Sequence, residues 1–208
     1  MEAICRELGH ARLTLPTLDL DAATPGFTDV VVQVPRTPDH TWTSPLSDQV
    51  ALAKLAKITG PETVLEVGAF RGDTTLILAL NTPESTRIIS LDILEDHGVA
   101  YRGHPAERKV TRHVGTLATL PTFGLFALIL IDADHHLADV RRDTELAGTG
   151  RLDGWHDYQD TGWLAGWNRV PEFLNELGQE LAIAVIPHTA LAVCHAAESD
   201  WLKEIRRQ

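Results

Sequence analysis

The stretch LEVGAFRGDTT, Leu65 to Thr75, runs from an apolar segment through two glycines into a polar helix start. Strand, glycine turn and helix in that order open a βαβ unit, the building block of a parallel sheet covered by helices. In such sheets ligands bind beyond the carboxyl ends of the strands, where strand order reverses. Gly68 and Gly72 would let the backbone approach a ligand closely, and the helix that follows offers free N–H groups to polar or negative atoms. A dinucleotide turn needs G-x-G-x-x-G, but position 70 is Phe70, so the middle glycine is missing. The pattern is E-x-G-x-x-x-G, with Glu66 in the strand before the turn. Its carboxylate would repel a pyrophosphate and tolerate a ligand with a cationic centre and an amino group.

Outward from this turn the chain alternates short apolar runs with amphipathic segments. Strands are expected at 63–67, 87–92, 110–114, 126–132 and 151–157, with FALILID (126–132), the most apolar, at the centre. Helices are expected from Asp73 to Leu80, over LADVRRDTELA and over 170–179, where a proline falls in the first turn. Upstream, Ser47 is a candidate N-cap for a helix with Val50, Ala53 and Ile58 on one face, stopped by Gly60-Pro61. LAIAVI (181–186) and ALAVCH (190–195) are separated only by Pro187, His188 and Thr189. So short a link predicts an antiparallel hairpin at the sheet edge, since parallel neighbours need a long crossover. The expectation is an α/β fold: a doubly wound, mostly parallel seven-stranded sheet with an antiparallel C-terminal hairpin. Residues 1–45, rich in proline, read as an arm or cap on a domain at 46–208, with one strand-like run, FTDVVVQV (27–34), that could pair with another subunit.

Composition narrows the function classes. With 29 acidic against 18 basic side chains and no concentrated basic face, wrapping nucleic acid is not expected. Cys5 and Cys194 form no disulfide framework or metal-ligand spacing, which fits a reducing cytoplasm. The first residues lack a basic region leading into an apolar run, and no stretch approaches the ~20 apolar residues of a membrane span. A soluble cytoplasmic protein is expected.

Asp92 ends the second strand, where a carboxylate can accept hydrogen bonds from both hydroxyls of a ribose. With that residue added, the chain from about Ser47 onward resembles the class I S-adenosylmethionine-dependent methyltransferases, of Rossmann-like fold. Their first motif is an acidic residue with a glycine turn, and their second is the acidic ribose clamp. The resemblance implies that Glu66, Gly68, Ala69 and Gly72 cradle the methionine part of S-adenosylmethionine and that Asp92 holds its ribose. It also sets Gly115 and Thr116 beside the adenine, with Thr116 standing where the family often has an acidic residue.

A second constellation lies at the ends of the next two strands. IDADHH (131–136) and GWHDY (154–158) bring Asp132, Asp134, His135, His156 and Asp157 to the ligand side of the sheet. Carboxylates on adjacent strand ends joined by an imidazole suit a divalent cation, and an oxygen-rich set points to magnesium, manganese or calcium more than zinc. The pair resembles the metal-dependent small-molecule O-methyltransferases of the catechol and antibiotic- or sugar-hydroxyl groups. That resemblance implies Asp132, His156 and Asp157 as ligands of a divalent cation, with magnesium the expected ion. His156 replaces an acidic residue and leaves room for a softer ion. Asp132 would also border the cofactor and act in catalysis, and His135, three residues later, would be the general base. Without an ion, Asp132 and Asp157 could instead orient substrate and the cofactor's amino group; Asp134 could cap the next helix, and His136 could simply start it.

YRGH (101–104) reads either as a lid segment or as a solvated loop, and Trp163 and Trp167 either wall an acceptor pocket or pack the last helix. The expected activity is methyl transfer from S-adenosylmethionine to a small hydroxylated molecule. The alternatives are a non-catalytic cofactor-binding or regulatory domain of the same fold, and a metal-dependent hydrolase that would leave the glycine turn unexplained.

Overall fold

The computed structural model describes residues 13–36, 42–121, 125–148, 150–159 and 167–195. After a short α1 (Leu20–Ala23) and α2 (Leu46–Thr59) come β1 (Thr63–Val67), α3 (Asp73–Asn81) and β2 (Arg87–Asp92). A 3₁₀ turn (Pro105–Lys109) leads to β3 (Val110–Val114), and then follow β4 (Leu128–Ile131), α4 (Leu137–Ala147), β5 (Leu152–Trp155) and α5 (Val170–Leu177). The hairpin β6 (Ile183–Val185) and β7 (Ala192–His195) closes the described chain. The strands form one seven-stranded sheet in the order β3-β2-β1-β4-β5-β7-β6. All neighbours are parallel except at β7, which runs antiparallel to both β5 and β6. Strand order reverses between β1 and β4, so the ends of those two strands flank the crevice where a ligand is expected.

Alternation along the strands sends successive side chains to opposite faces. Val64, Ile88 and Leu128 pack with Leu52, Leu55 and Leu78 on the α2–α3 face. Leu65, Ile89 and Ile129 pack with Val140, Phe173 and Leu174 on the α4–α5 face. Both faces are covered, which explains why the strands read as nearly continuous apolar runs. By the same alternation Glu66 and Ser90 share the α3 side of the sheet with Val64 and Ile88.

The expected strand at 27–34 does not form. Phe27 buries its ring in the α2–α3 core, and 30–36 joins no strand ladder. Asn81 holds it by a side-chain clamp, accepting from the Gln33 amide at 2.8 Å and donating to the Gln33 carbonyl at 2.7 Å. A β-prone sequence thus satisfies its backbone through side chains, Asn81 together with Asp21, Lys54 and Lys57, and through local turns rather than a neighbouring strand. The residues before it do reach the sheet: Leu18 donates to the Val185 carbonyl and Val185 to that of Pro16, covering the β6 edge. Ser47 is not the N-cap of α2. The helix begins at Leu46 after Pro45, and the Ser47 hydroxyl donates to Asp48 instead. Its end is as expected, with Gly60 in the left-handed region donating to the Ala56 carbonyl. Among the described residues no helix is long and apolar enough to cross a membrane.

Candidate active site

The glycine turn is built as much by protein contacts as for a ligand. A side chain on Gly68, at φ +91°, would put its Cβ 2.0 Å from the Asp132 carbonyl oxygen; one on Gly72, at φ +83°, would lie 2.8 Å from the Tyr101 ring. Gly68 therefore admits the end of β4, and Gly72 admits Tyr101. Tyr101 is buried, so YRGH is not a wholly solvated loop. Ala69 is buried too, and its amide, like that of Gly68, donates to the Leu91 carbonyl. Phe70 takes a positive φ of 43° at the apex, a conformation uncommon for a bulky residue.

Glu66 lies buried beneath this turn, where Thr75 donates a hydrogen bond to its carboxylate and, at 3.0 Å, shares another with Ser90. Burial, reinforced by the carboxylates of Asp132, Asp92 and Asp73 and only partly offset by the Thr75 bond, pushes its carboxyl up to about 8. Glu66 thus underpins the cradle as a neutral acid at pH 7. Asp92 stands at the end of β2 with both oxygens engaged. One accepts from the Phe70 amide at 2.7 Å, and the other accepts from Leu94 at 2.9 Å and pairs with His97 at 2.9 Å. A carboxylate offers about four lone-pair sites, and these three contacts leave about one of them open. The His97 ring meets Phe70 edge to face at 5.0 Å, closing this corner. Next to it the Gly115 amide donates to the Asp92 carbonyl at 2.8 Å, and Thr116 exchanges hydrogen bonds with Thr119.

The second constellation assembles around the ends of β4 and β5. Both strands stop before the functional residues, so Asp132, His156 and Asp157 project from the turns. Asp157 has φ 62°, a left-handed conformation that aspartate tolerates better than most residues. Donor atoms of Asp132, His135 and Asp157 lie within 4.8 Å of one another. His135 Nε2 is 2.5 Å from an Asp157 oxygen. His156 Nδ1 is 3.1 Å from the same oxygen and 3.4 Å from Asp132, while its Nε2 reaches the buried Asp48 of α2 at 3.0 Å. Burial alone would lower both imidazoles, but the carboxylates outweigh it: His135 is raised, and His156 is held well above its usual value. Burial would likewise raise Asp157, yet the His135 bond and the nearness of both imidazoles hold it well below the carboxylate range.

Asp134 does not join this group. It turns outward, accepting from the His136 amide at 2.8 Å and pairing with the His136 ring at 2.5 Å, at the entry to α4. Trp167 lies tilted against His135 at 4.7 Å, and Trp42 meets Trp167 edge-on at 5.9 Å, making an aromatic wall beside the imidazole. Trp163 and Cys5 lie outside the described residues.

Asp48 and Trp42 escaped the sequence reading. For Asp48 a signal existed: it shares a helical face with Leu52 and Leu55, and an acid on a buried face must have a partner. For Trp42 there was none, because only folding carries that residue to Trp167.

The sheet order, with the glycine turn after β1 and an acid at the end of β2, is that of the class I S-adenosylmethionine-dependent methyltransferase fold. A sequence profile of the O-methyltransferase family matches residues 32–139, and the chain belongs to that family. Solved structures carry the same fold at low identity. An O-methyltransferase from Bacillus cereus in complex with SAH is 20% identical, with a TM-score of 0.54 over 76% of this chain and 84% of its own. TomG from Streptomyces achromogenes, an O-methyltransferase involved in tomaymycin synthesis and solved with SAM, is 16% identical, with a TM-score of 0.57 over 82% and 94%. An SAH-bound methyltransferase from Podospora anserina is 16% identical, with a TM-score of 0.56 over 95% and 94%. No curated protein matches the sequence.

Proposed function

We propose that this enzyme methylates a hydroxyl of a small molecule from S-adenosylmethionine, with a divalent cation at Asp132 and Asp157 and with His135 taking the hydroxyl proton. The observation that carries the reading is the meeting of Asp132, His135 and Asp157 one strand away from the glycine turn. The residues fit a cation. Three carboxylates, Asp48, Asp132 and Asp157, surround two imidazoles, so the cluster keeps an excess of acid even with both rings protonated. When bound, the cofactor supplies an electrophilic methyl group and the cation lowers the pKa of the acceptor hydroxyl.

The chain's own residues align and deprotonate. Methyl transfer from a sulfonium is an in-line displacement, so holding nucleophile and methyl carbon in register is the main requirement. Gly68, Ala69 and Gly72 would pass under the methionine part above the neutral Glu66, Asp92 would accept from the ribose, and Gly115 and Thr116 would border the adenine. His135 donates from Nε2 to Asp157, which leaves Nδ1 as the lone pair that receives the proton. Asp132 and Asp157 would hold the cation, with His156 Nδ1 beside them. Trp42 and Trp167 would wall the acceptor. In this reading residues 46–208 carry the cofactor and the catalytic groups, the 1–45 arm contributes Trp42, and the enzyme works in the cytoplasm.

Calorimetric titration with S-adenosylmethionine tests the class, and absence of binding at submillimolar concentration would sink it. For the cation, Asp132→Ala and Asp157→Ala should remove dependence on added metal, whereas full wild-type activity in a chelator would refute that part alone.

A further inference from the structure

Asp48 stands at the start of α2, far in sequence from either motif, yet its carboxylate ends against the cation cluster. It is 2% exposed and fixed from three sides. One oxygen accepts from Ser47 at 2.8 Å; the other accepts from the Ala190 amide at 3.0 Å and meets His156 Nε2 at 3.0 Å. On the opposite edge of that ring, Nδ1 is buried without an aligned hydrogen-bond partner among the described residues. It points between Asp132 and Asp157, at 3.4 and 3.1 Å. A buried ring nitrogen between two carboxylates must carry either a proton or an ion, because a bare lone pair there would face two negative charges.

From this geometry, and resting on the cation reading above, we propose that Asp48 is the positioning residue of the metal centre. It keeps the His156 proton on Nε2 and so presents the Nδ1 lone pair to the ion. Imidazoles that bind metals ordinarily donate their second N–H to a carboxylate, which fixes both tautomer and ring orientation. Asp48 cannot serve as a ligand itself, because Ser47, Ala190 and His156 hold both its oxygens on the far side of the ring. The centre therefore contains at least one nitrogen donor. Since imidazole suits first-row transition ions and magnesium prefers oxygen, the site favours manganese, iron or cobalt over magnesium. The competing account makes His156 a plain ion-paired cross-link between α2 and the β4–β5 turns, with Nδ1 permanently protonated.

Two measurements on the full chain separate the accounts. Calorimetry with manganese chloride and with magnesium chloride should show tighter binding of manganese, and Asp48→Asn should weaken manganese binding about 10- to 100-fold. Cooperative melting of the variant would establish that it is folded. In ¹⁵N-labelled wild-type protein with zinc as a diamagnetic probe, His156 should carry its proton on Nε2 and its Nδ1 signal should shift on zinc addition. This second experiment decides the matter even where Asp48→Asn does not fold. Unchanged manganese affinity in Asp48→Asn, or an Nδ1 that stays protonated in saturating zinc, overturns the role of Asp48 and leaves the cation reading intact. A wild-type protein that binds none of the three ions overturns both.

Discussion

At the end of β1 the buried Glu66 is met by the hydroxyl of Thr75, and its carboxyl is pushed up to about 8. At the end of β5 Asp157 is met by two imidazoles and is held well below the usual carboxylate range. The decisive difference is the partner, because burial opposes ionisation in both the fully buried Glu66 and the part-buried Asp157. The β1–β2 end is a shaped surface whose acids are neutral or engaged by backbone amides. The β4–β5 end is a charged cluster. A cofactor needs shape to be held, while a hydroxyl needs charge to be activated.

The sharpest test of the charged end is His135→Ala. If His135 is the base, kcat should fall by about 10²–10⁴-fold while SAH binding persists, and a smaller loss would transfer the role to another group. At the shaped end, Gly68→Ala forces a Cβ against the Asp132 carbonyl at a positive φ. It should cost about 2–5 kcal/mol of stability in chemical denaturation. Retained stability would mean that the β1 and β4 ends separate easily.

Glu66→Gln probes the neutral acid. A carboxyl whose folded pKa is raised to about 8 from an ordinary 4.5 favours folding when protonated. That contribution is complete below the unfolded pKa and is lost as pH rises toward 8. The wild-type melting temperature should therefore decline between pH 5 and pH 8 more steeply than that of the variant; parallel profiles would show that Glu66 does not titrate in that window. The smallest effect is expected at the aromatic wall. Trp42→Ala removes one face beside Trp167 and should raise the acceptor KM about two- to tenfold with kcat nearly unchanged.

Much of the scaffold was legible because it depends on local pattern. β1, β2, β3 and α4 fall where the apolar runs and their punctuation place them, and the three-residue link at 187–189 does join an antiparallel pair. The failures share a cause. The 27–34 run has strand composition, but Asn81 answers its backbone; Ser47 has cap chemistry, but Asp48 beside it takes its hydroxyl. In each, a contact distant in sequence or a competing neighbour outweighs local propensity. Tyr101 looked like part of an exposed segment and is instead the ring that requires Gly72.

By itself the sequence determined the alternation of strands and helices, the glycine turn with its preceding acid, and the placing of Asp92, Asp132 and Asp157 at or just beyond strand ends. These follow from periodicity and from the rule that loops after parallel strands share one side of the sheet. Only the tertiary structure decided which acids are charged, that Gly68 is reserved for the Asp132 carbonyl, and that Asp48 meets His156 across 108 residues. Charge state and partner depend on what surrounds an atom in space, and no spacing along the chain specifies that.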